Sequence, residues 1–513
     1  MNKLGIYGLS LILIALSLPV SSQSIAVVEG VKIKNGLTKE ALFYYNNNWR
    51  ELRVKALEMG FIESFNLIEQ GANSKTEFDL LLITNYINAA QQSLADERFS
   101  QLIAAHSEVK LLNQIQPSEF RQSLFVNIAK GLHQSKDEAY TPVKEVLLEG
   151  LAHPWSMAFL TEQLALVSEK DGHLLKVDLQ SKEKTVIKNF PEDLANKVSI
   201  DATQYEPGIY PTSLNGRTGS FNLGIFDVLL DPNFIDNRYI YVAYSAKKAD
   251  TFTTKVIRAI LKDDELTQIK SIFEAAPYTP GAWHFGGGMT FGQDGKLYIT
   301  VGERLFNEVN QPDMPIAQNM QDKRGKIHRI NTDGSIPIDN PDFFEQGISS
   351  IYAAGIRAAQ GLTVEPFSGN IWFSEHGTHQ GDEINLLKPG ANYGWPVHTT
   401  GRYRHAEYQP PALADRAFTD PKWFWKQTVA PTGLTFYTGD EFPEWKNNLF
   451  VAGLSKGSLW RVTIEGTTIK SVESLFVDSP VRSRKVVQSP QGKLYMLTDE
   501  DNGKIIRIRK THS

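Results

Sequence analysis

The chain has 513 residues and no cysteine, and its 53 Lys+Arg against 58 Asp+Glu leave a net charge of −5. The absence of cysteine excludes disulfides, thiolate metal sites, covalently attached haem and cysteine nucleophiles. A mildly acidic balance argues against a nucleic-acid partner, which needs a dense basic surface. The length allows two or three domains, and the 38 glycines and 24 prolines are typical of a turn-rich, mainly β protein.

The first 22 residues predict a signal peptide. Lys3 precedes an almost wholly apolar run over residues 4–18, and small residues up to Ser22 suit cleavage. The run is shorter than the roughly 20 residues that span a bilayer. We therefore expect a periplasmic or secreted protein with no membrane span in its mature form, an uncleaved N-terminal anchor being the alternative.

Residues 24–140 predict a small α+β domain. We expect a helix capped by Thr38 and ending at Gly60, strands over residues 61–68 and 78–84, and a second helix over residues 96–112. This order of elements predicts a ferredoxin-like fold.

The segment also loosely resembles dimeric α+β barrel domains, through residues 44–49 and the strand at residues 78–84. The resemblance leaves a homodimer open. The Tyr/Asn/Trp run at residues 44–49 is interpreted as packing along a helix face, with a binding surface as the alternative.

From residue 146 to the C-terminus, one pattern recurs six times: an apolar strand, a turn with Pro, Asp or Gly, and a second apolar strand. A lone hairpin is unstable, so repeated hairpins indicate radial repetition. Residues 146–513 therefore predict a six-bladed β-propeller with one four-stranded blade per repeat, a series of β-sandwiches being the alternative. The hairpins pair residues 157–159 with 166–167, 228–230 with 240–242, 289–291 with 297–299, 362–364 with 371–373, 434–436 with 449–451, and 486–488 with 494–496.

Polar residues concentrate in the loops between these strands, where propellers place their chemistry. His284 precedes the glycines at residues 286–288, which leave room for a ligand beside the imidazole. Glu303 follows the next strand and could orient that imidazole for proton transfer. A turn-capping role for His284 is the alternative.

Two other loops combine charge with glycine. Residues 374–383 set acidic side chains beside glycine-loop carbonyls, a pattern that suits Ca²⁺, whereas zinc at His376 and His379 would lack a clear third ligand. Arg482 and Arg484 share one face of a strand, where they could hold carboxylates or phosphates. A solvated polar loop and an exposed basic edge are the alternatives.

From about residue 151 to 508, a series of short sequence motifs, taken in their order along the chain, resembles the soluble quinoprotein sugar dehydrogenases, also called the glucose/sorbosone or aldose sugar dehydrogenase family. The matching runs are residues 153–159, 230–234, 284–287, 325–334, 360–362, 381–386, 392–396, 430–434 and 497–503. The resemblance implies a six-bladed propeller that binds pyrroloquinoline quinone (PQQ) and Ca²⁺. It also implies oxidation of an aldose sugar at the anomeric carbon to a lactone.

The resemblance further implies roles for individual residues. His284 would be the general base, Glu303 the carboxylate that orients it, and Arg357 the cation that polarises the quinone oxygen. The implied cofactor contacts are Asn222, Thr432, Lys456, Arg482 and Arg484. The implied metal ligands are the carbonyls of Gly377 and Thr378 for the calcium of the cofactor, and Glu383 and Tyr393 for a second, structural calcium. Because the chain has no Cys-x-x-Cys-His haem site, electrons would pass to a separate acceptor.

Several positions depart from the family pattern. Gly288 stands where the family has Arg, Asn222 where it often has Gln, Thr378 where it has Pro, and Lys485 where it has Asp; Ala358-Ala359 replaces Asn-Pro. These changes put substrate range and cofactor affinity in question. A propeller that binds sugar or quinone without turnover is therefore the first alternative function, and a calcium-dependent lactonase-like hydrolase is the second.

Overall fold

The computed structural model divides into two compact units, Met1–Glu138 and Ala139–Ser513. The predicted signal peptide lies outside the described residues. No helix within the described part of the chain is long and apolar enough to cross a membrane. The structure describes residues 25–70, 77–105, 109–130, 140–201, 215–304, 313–343, 347–404, 407–413, 416–455 and 459–512.

The first unit is an antiparallel sheet with helices. Its strands are β1 (Ile25–Ile33), β2 (Ser64–Glu69), β3 (Leu80–Tyr86) and β4 (Arg121–Lys130), in the sheet order β2-β3-β1-β4. Its helices are α1 (Thr38–Tyr44), α2 (Arg50–Glu58), α3 (Ala89–Ser93), α4 (Ala95–Ala104) and α5 (Pro117–Phe120), with a π-helical turn at Tyr45–Trp49 and a 3₁₀ turn at Leu112–Gln114.

The core of this unit lies between the sheet and α1–α2. Every second residue of β3 is buried, as the period of a strand with one covered face requires. Tyr45 is fully buried and Trp49 is 9% exposed, and both pack against Leu80 and Leu82. The run at residues 44–49 is therefore packing, and the alternative of a binding surface is wrong for Tyr45 and Trp49.

Two local predictions in this unit are wrong. Thr38 is the first helical residue, not the cap, and the helix start at Leu37 has no side-chain cap. The helix predicted over residues 96–112 ends at Ala104. The side chain of Asn48 donates to the Lys110 carbonyl at 2.7 Å and accepts from the Lys110 amide at 2.8 Å. The Asn48 side chain thus makes the hydrogen bonds with the Lys110 backbone that a longer helix would make internally.

The second unit contains six four-stranded antiparallel sheets. Each predicted hairpin forms the first two strands of one sheet. The first three sheets are β6 (Pro154–Phe159), β7 (Leu164–Glu169), β8 (Leu174–Asp178) and β9 (Lys184–Val186); β12 (Ile225–Leu230), β13 (Tyr239–Lys248), β14 (Thr251–Lys262) and β15 (Glu265–Glu274); and β16 (Gly286–Phe291), β17 (Leu297–Val301), β18 (Lys326–Ile330) and β19 (Ile351–Ala354).

The remaining three sheets follow the same pattern. They are β20 (Ala359–Val364), β21 (Ile371–Glu375), β22 (Asp382–Leu386) and β23 (Trp423–Trp425); β24 (Pro431–Phe436), β25 (Leu449–Gly453), β26 (Leu459–Glu465) and β27 (Thr468–Leu475); and β28 (Ser483–Gln488), β29 (Leu494–Thr498) and β30 (Gly503–His512), with β5 (Tyr140–Leu151) as the fourth strand. The described residues of this unit also form a short ribbon, β10 (Val198–Ser199) with β11 (Thr218–Gly219), the helix α6 (Phe234–Asn237) and 3₁₀ turns at Ile316–Gln318 and Pro443–Trp445.

The first strands of the six sheets form a closed ring. Each contacts the first strand of the next sheet, and β28 contacts β6. The last sheet is completed by β5, which pairs with β30 over nearly its whole length. The N- and C-terminal segments of this unit thus share one sheet, and the ring is closed by backbone hydrogen bonds without covalent staples.

All six first strands lose their regular pairing near the start. The register of each with its second strand shifts within the first four residues. Such bulges re-aim side chains and mark functional regions. The second residues of the strands are Trp155, Phe226, Gly287, Gln360, Thr432 and Arg484, and the third residues are Ser156, Asp227, Gly288, Gly361, Gly433 and Lys485.

A buried ion pair crosses the ring at the level of the third residues. The Lys485 ammonium lies 3.0 Å from both carboxylate oxygens of Asp227. Ser156 donates a further hydrogen bond to Asp227, at 2.5 Å. Gly433 makes room for the lysine, because a Cβ there would lie 2.2 Å from Lys485 Cδ. Lys485 is thus the cation that compensates a buried carboxylate on another sheet.

Replacing Lys485 by methionine is expected to leave the Asp227 carboxylate buried without its cation. Removing one partner of a buried ion pair costs about 3–5 kcal/mol, so the free energy of unfolding in urea should fall by that amount. The control Lys470→Met breaks an exposed pair with Glu465 and should cost less than about 1 kcal/mol. Equal effects of the two substitutions would contradict the importance of the buried pair.

Candidate functional site

The centre of the site is a histidine held by a buried glutamate. His284 precedes β16 and Glu303 follows β17, so the neighbouring strands place the two side chains together. His284 Nδ1 lies 2.8 Å from Glu303 Oε1, and Glu303 is 1% exposed. A carboxylate only accepts, so Nδ1 carries the proton and Nε2 keeps a lone pair. The sequence prediction that these two residues pair agrees with this geometry.

The surroundings of His284 keep its imidazole neutral. Burial, followed by the charge of Arg357, lowers the pKa of His284 to about 4, although the hydrogen bond to Glu303 opposes the shift. Because the pKa of His284 differs between the folded and the unfolded chain, the stability of the fold depends on pH. As the pH falls from about 6.5 toward 4, the unfolded chain takes up a proton that the folded chain resists, so stability is lost over that interval. At neutral pH the imidazole is ready to accept a proton.

Arg357 lies between β19 and β20 and reaches toward the loop after β21. Its guanidinium donates to the carbonyls of Gly377 at 2.5 Å and His376 at 3.2 Å. It also lies 5.2 Å from the ring of Trp395. The side chain is 3% exposed. A fixed guanidinium of this kind supplies positive charge at a set position near His284.

A first cavity opens where the inner strands lose their pairing. Four of its lining residues, Trp155, Phe226, Gln360 and Arg484, are second residues of those strands. Of the predicted cofactor contacts, Asn222 and Arg484 line it. The other lining residues are Lys170, Phe285 and Gly286. The cavity therefore combines aromatic faces with two cationic side chains.

The cations near this cavity converge on one carboxylate. Asp499 lies 2.5 Å from Arg484, 3.2 Å from Arg482 and 3.6 Å from Lys170. His153 contacts the same carboxylate at 3.0 Å. The pKa of Asp499 is well below its usual range because Arg484 and the other positive groups outweigh its burial. Arginine is a permanent cation, and burial lowers the pKa of Lys170 to about 8. At neutral pH Arg482, Arg484 and Lys170 therefore carry more positive charge than Asp499 balances.

A second cavity is lined by two buried carboxylates. Glu375 on β21 and Glu383 on β22 are direct cross-strand partners and both line it. Burial, and then the charge of Glu383, raises the pKa of Glu375 to about 8. Burial likewise raises the pKa of Glu383. Two adjacent buried carboxylates without a cation are unfavourable, and hard oxygen donors of this type suit Ca²⁺.

The other predicted metal residues surround this second cavity in different ways. Gly377 lines it, and its carbonyl accepts from Arg357. The Thr378 hydroxyl is buried and has no hydrogen-bond partner among the described residues. The Tyr393 hydroxyl donates to the Leu386 carbonyl at 2.5 Å, so Tyr393 would bind a metal only through its backbone.

Two predicted cofactor contacts stand apart. The Thr432 hydroxyl is fully buried and faces the carbonyls of Ala452 and Ser483, at 3.3 and 3.4 Å. Lys456 lies outside the described residues. The structure therefore brings together His284, Glu303 and Arg357, and it places Asn222 and Arg484 in the lining of the first cavity. Arg482 does not line that cavity but pairs with Asp499 next to Arg484.

This geometry occurs on a chain with clear relatives. A family model described as Glucose / Sorbosone dehydrogenase matches residues 151–507. The chain belongs to that family. It is 31% identical to the Aldose sugar dehydrogenase YliI of Escherichia coli over 370 residues, which cover 71% of this chain and 92% of the relative. It is 26% identical to Quinoprotein glucose dehydrogenase B of Acinetobacter calcoaceticus, over 69% of this chain and 85% of that protein.

Solved structures agree with the family assignment. The apo form of the soluble aldose sugar dehydrogenase from Escherichia coli matches 73% of this chain and all of its own, with a TM-score of 0.62 and 30% identity. A PQQ-bound aldose sugar dehydrogenase from Streptomyces coelicolor has the same fold, with a TM-score of 0.55 and 23% identity over 72% of this chain.

Two departures from the glucose/sorbosone dehydrogenase pattern have a structural reason. A Cβ on Gly288 would lie 2.5 Å from the Gln360 carbonyl oxygen, so this backbone leaves no room for the arginine that the family has there. Lys485 replaces an Asp and pairs with Asp227. Nothing in the structure explains the replacement of Asn-Pro by Ala358-Ala359.

Sequence reasoning assigned no site role to Trp155, Lys170, Gln360 or Asp499, and it included Glu375 only as part of the acidic loop at residues 374–383. Trp155 and Gln360 are the second residues of the first strands of their sheets, and Arg484 has the same position in its own sheet. Aligning the six hairpins by their inner strands would have identified them as cavity residues. Glu375 is the cross-strand partner of Glu383, a relation that needs the register. Lys170 and Asp499 reach the site from separate loops, and no local pattern links them.

His284 and His153 are expected to titrate in opposite directions from the ordinary histidine pKa of about 6.5. Burial lowers the pKa of His284, whereas the hydrogen bond to Asp499 raises the pKa of His153. Imidazole ¹⁵N shifts at about pH 6 should show a neutral His284 and a protonated His153. The variants His284→Gln and His153→Gln assign the signals. A protonated His284 at that pH would contradict the electrostatic description.

Proposed function

We propose that this chain is a PQQ- and Ca²⁺-dependent sugar dehydrogenase, built as a six-bladed β-propeller preceded by a ferredoxin-like α+β domain. It would oxidise aldoses at the anomeric carbon to lactones and pass the electrons to a separate acceptor in the periplasm or the medium. The observation that carries the proposal is the His284–Glu303 pair, 2.8 Å apart. His284 directly precedes Phe285 and Gly286 of the cationic first cavity, and it feels the charge of Arg357, which lines the cavity with the two buried carboxylates.

The residues present fit both groups. PQQ has three carboxylates, and the excess positive charge of Lys170, Arg482 and Arg484 over Asp499 suits such an anion. Trp155, Phe226 and Phe285 add flat apolar surface to the same cavity. Glu375 and Glu383 offer the oxygen donors of a structural calcium site. The carbonyls of Gly377 and Thr378 would serve the calcium of the cofactor.

Within this proposal the protein supplies the base and the charge. His284 Nε2 has no hydrogen-bond partner among the described residues, so it can take the proton from the anomeric hydroxyl. Glu303 accepts the hydrogen bond from Nδ1–H and stabilises the imidazolium that forms. Arg357 holds positive charge near the acceptor atoms. When bound, PQQ supplies the redox chemistry by taking up the hydride from the sugar.

His284→Gln is expected to abolish turnover without emptying the cofactor site. Loss of a general base costs about 10²- to 10⁴-fold in rate. The measurement is aldose-dependent dye reduction by protein reconstituted with PQQ and Ca²⁺, together with the absorbance of retained PQQ. Glu303→Gln should lower the rate less, since the base remains. Arg484→Ala should instead weaken PQQ retention, because it removes a cation that lines the cavity.

Three outcomes separate the proposal from its alternatives. Wild-type rates in His284→Gln would exclude this residue as the base. Bound PQQ without dye reduction for any aldose would identify a binding propeller that lacks turnover. Lactone hydrolysis by PQQ-free protein would favour a hydrolase.

Calcium is expected to raise the Tm of the PQQ-free chain through the paired carboxylates. A ligand that binds the folded state stabilises it by mass action, by about 2.7 kcal/mol at one hundred times Kd. Glu383→Gln should remove most of the shift, because it removes one of the two buried carboxylates. The control Glu265→Gln removes a carboxylate that pairs with the exposed Lys188. This variant should keep the calcium-dependent rise in Tm. An undiminished calcium shift in Glu383→Gln would place the ion elsewhere.

A further inference from the structure

A third group of potential metal ligands lies outside both cavities, at the turn between β7 and β8. Glu169 is the last residue of β7, and Asp171 and His173 follow before β8 begins at Leu174. One ligand atom from each residue lies within 4.8 Å of the other two. Within the described residues, no other set of three His, Asp or Glu side chains meets this distance.

The tight turn brings these residues together. The Glu169 amide donates to the His173 carbonyl at 2.9 Å, and the Gly172 amide donates to the Glu169 carbonyl at 3.1 Å. Gly172 has a φ of +103°, and a Cβ there would lie 2.9 Å from Asn196. The backbone therefore fixes Glu169 and His173 as neighbours.

Glu169 is the observation that points to a ligand. It is 4% exposed, and its Oε1 accepts from the Ala152 amide at 2.7 Å. Its Oε2 accepts no hydrogen bond from any described residue and faces His173, whose Nδ1 lies 3.8 Å away. A carboxylate buried to this extent is costly unless a cation compensates it.

The neighbouring cations do not fill this role. The ammonium of Lys170 turns to Asp499, 3.6 Å away. The ammonium of Lys184 binds the Gly150 carbonyl at 2.6 Å. An ion from solvent can reach the group, since the side chains of His173 and Asp171 are 52% and 36% exposed.

We propose that Glu169, Asp171 and His173 bind a divalent transition-metal ion of the Zn²⁺ class. One imidazole and two carboxylates are a donor set for Zn²⁺, with water in the fourth position. Ligand atoms about 2.0–2.2 Å from a tetrahedral ion are about 3.3–3.6 Å apart. The Nδ1 of His173 lies 3.1 Å from Asp171 and 3.8 Å from Glu169, which brackets that spacing. The imidazole makes the site unsuited to Ca²⁺ or Mg²⁺, which take oxygen ligands.

The ion would brace the turn from which Lys170 extends. Glu169 and Asp171 flank Lys170 in sequence, and the Lys170 side chain lines the first cavity. Metal binding at this turn is a structural role and does not depend on the proposed redox function. A full chain without PQQ is therefore sufficient for the test.

The test is calorimetric titration of the metal-stripped full chain with ZnCl₂. The wild type should bind one equivalent that Glu169→Gln, Asp171→Asn and His173→Gln each weaken by more than about tenfold. The control His379→Gln removes an exposed imidazole from another loop and should leave that equivalent unchanged. Zn²⁺ should also raise the Tm of the wild type and not that of His173→Gln.

Other results of the same titration would overturn the proposed zinc site. No Zn²⁺ binding by the wild type, or wild-type affinity in Asp171→Asn and His173→Gln, would overturn the proposal. So would a Zn²⁺ equivalent that survives these substitutions and is lost in Glu383→Gln, because that result assigns the ion to the second cavity.

Discussion

The convergence of six inner strands on one ring is the constraint on which the second unit depends. Near its start each strand loses its regular pairing with its neighbour. Space at that level is scarce, so three of the six third positions are glycine. Gly433 accommodates Lys485 by having no side chain, and a Cβ on Gly288 would meet the Gln360 carbonyl at 2.5 Å. The crowded level forms a layer below the first cavity, and the level of the second residues lines the cavity itself.

The two cavities differ in how their buried charges are paired. Buried charges are tolerated only when they are paired, and the Lys485–Asp227 pair satisfies that rule within the protein. The cluster of Arg484, Arg482 and Lys170 meets this pairing rule only in part, because the three cations share the single carboxylate of Asp499. On the carboxylate side, Arg357 lines the cavity together with Glu375 and Glu383, but its charge does not offset the burial that raises the pKa of Glu375. Burial also raises the pKa of Glu383. The two imbalances have opposite signs, which is the arrangement expected of a protein that takes up an anionic cofactor and a hard cation.

The histidine at the centre shows how one residue depends on both regions. Its orientation comes from Glu303, and its neutrality comes from burial and from Arg357. The fold supplies these partners from three different connections, after β15, β17 and β19. A general base held neutral in this way can accept a proton near physiological pH, and the same positive charge that lowers its pKa also favours an anionic neighbour.

The sequence by itself determined the repeated hairpins, because alternating apolar residues and turn signals act over a few residues. It also determined the pairing of His284 with Glu303, since both border one hairpin. It failed for the helix predicted to end at residue 112, because Asn48, over 60 residues away, takes the backbone groups of Lys110. Only the tertiary structure decided that Glu375 joins Glu383, that Lys485 compensates Asp227, and that Lys170 and Asp499 reach the cavity. Each of these contacts depends on register or ring closure, which bring together residues that no local pattern relates.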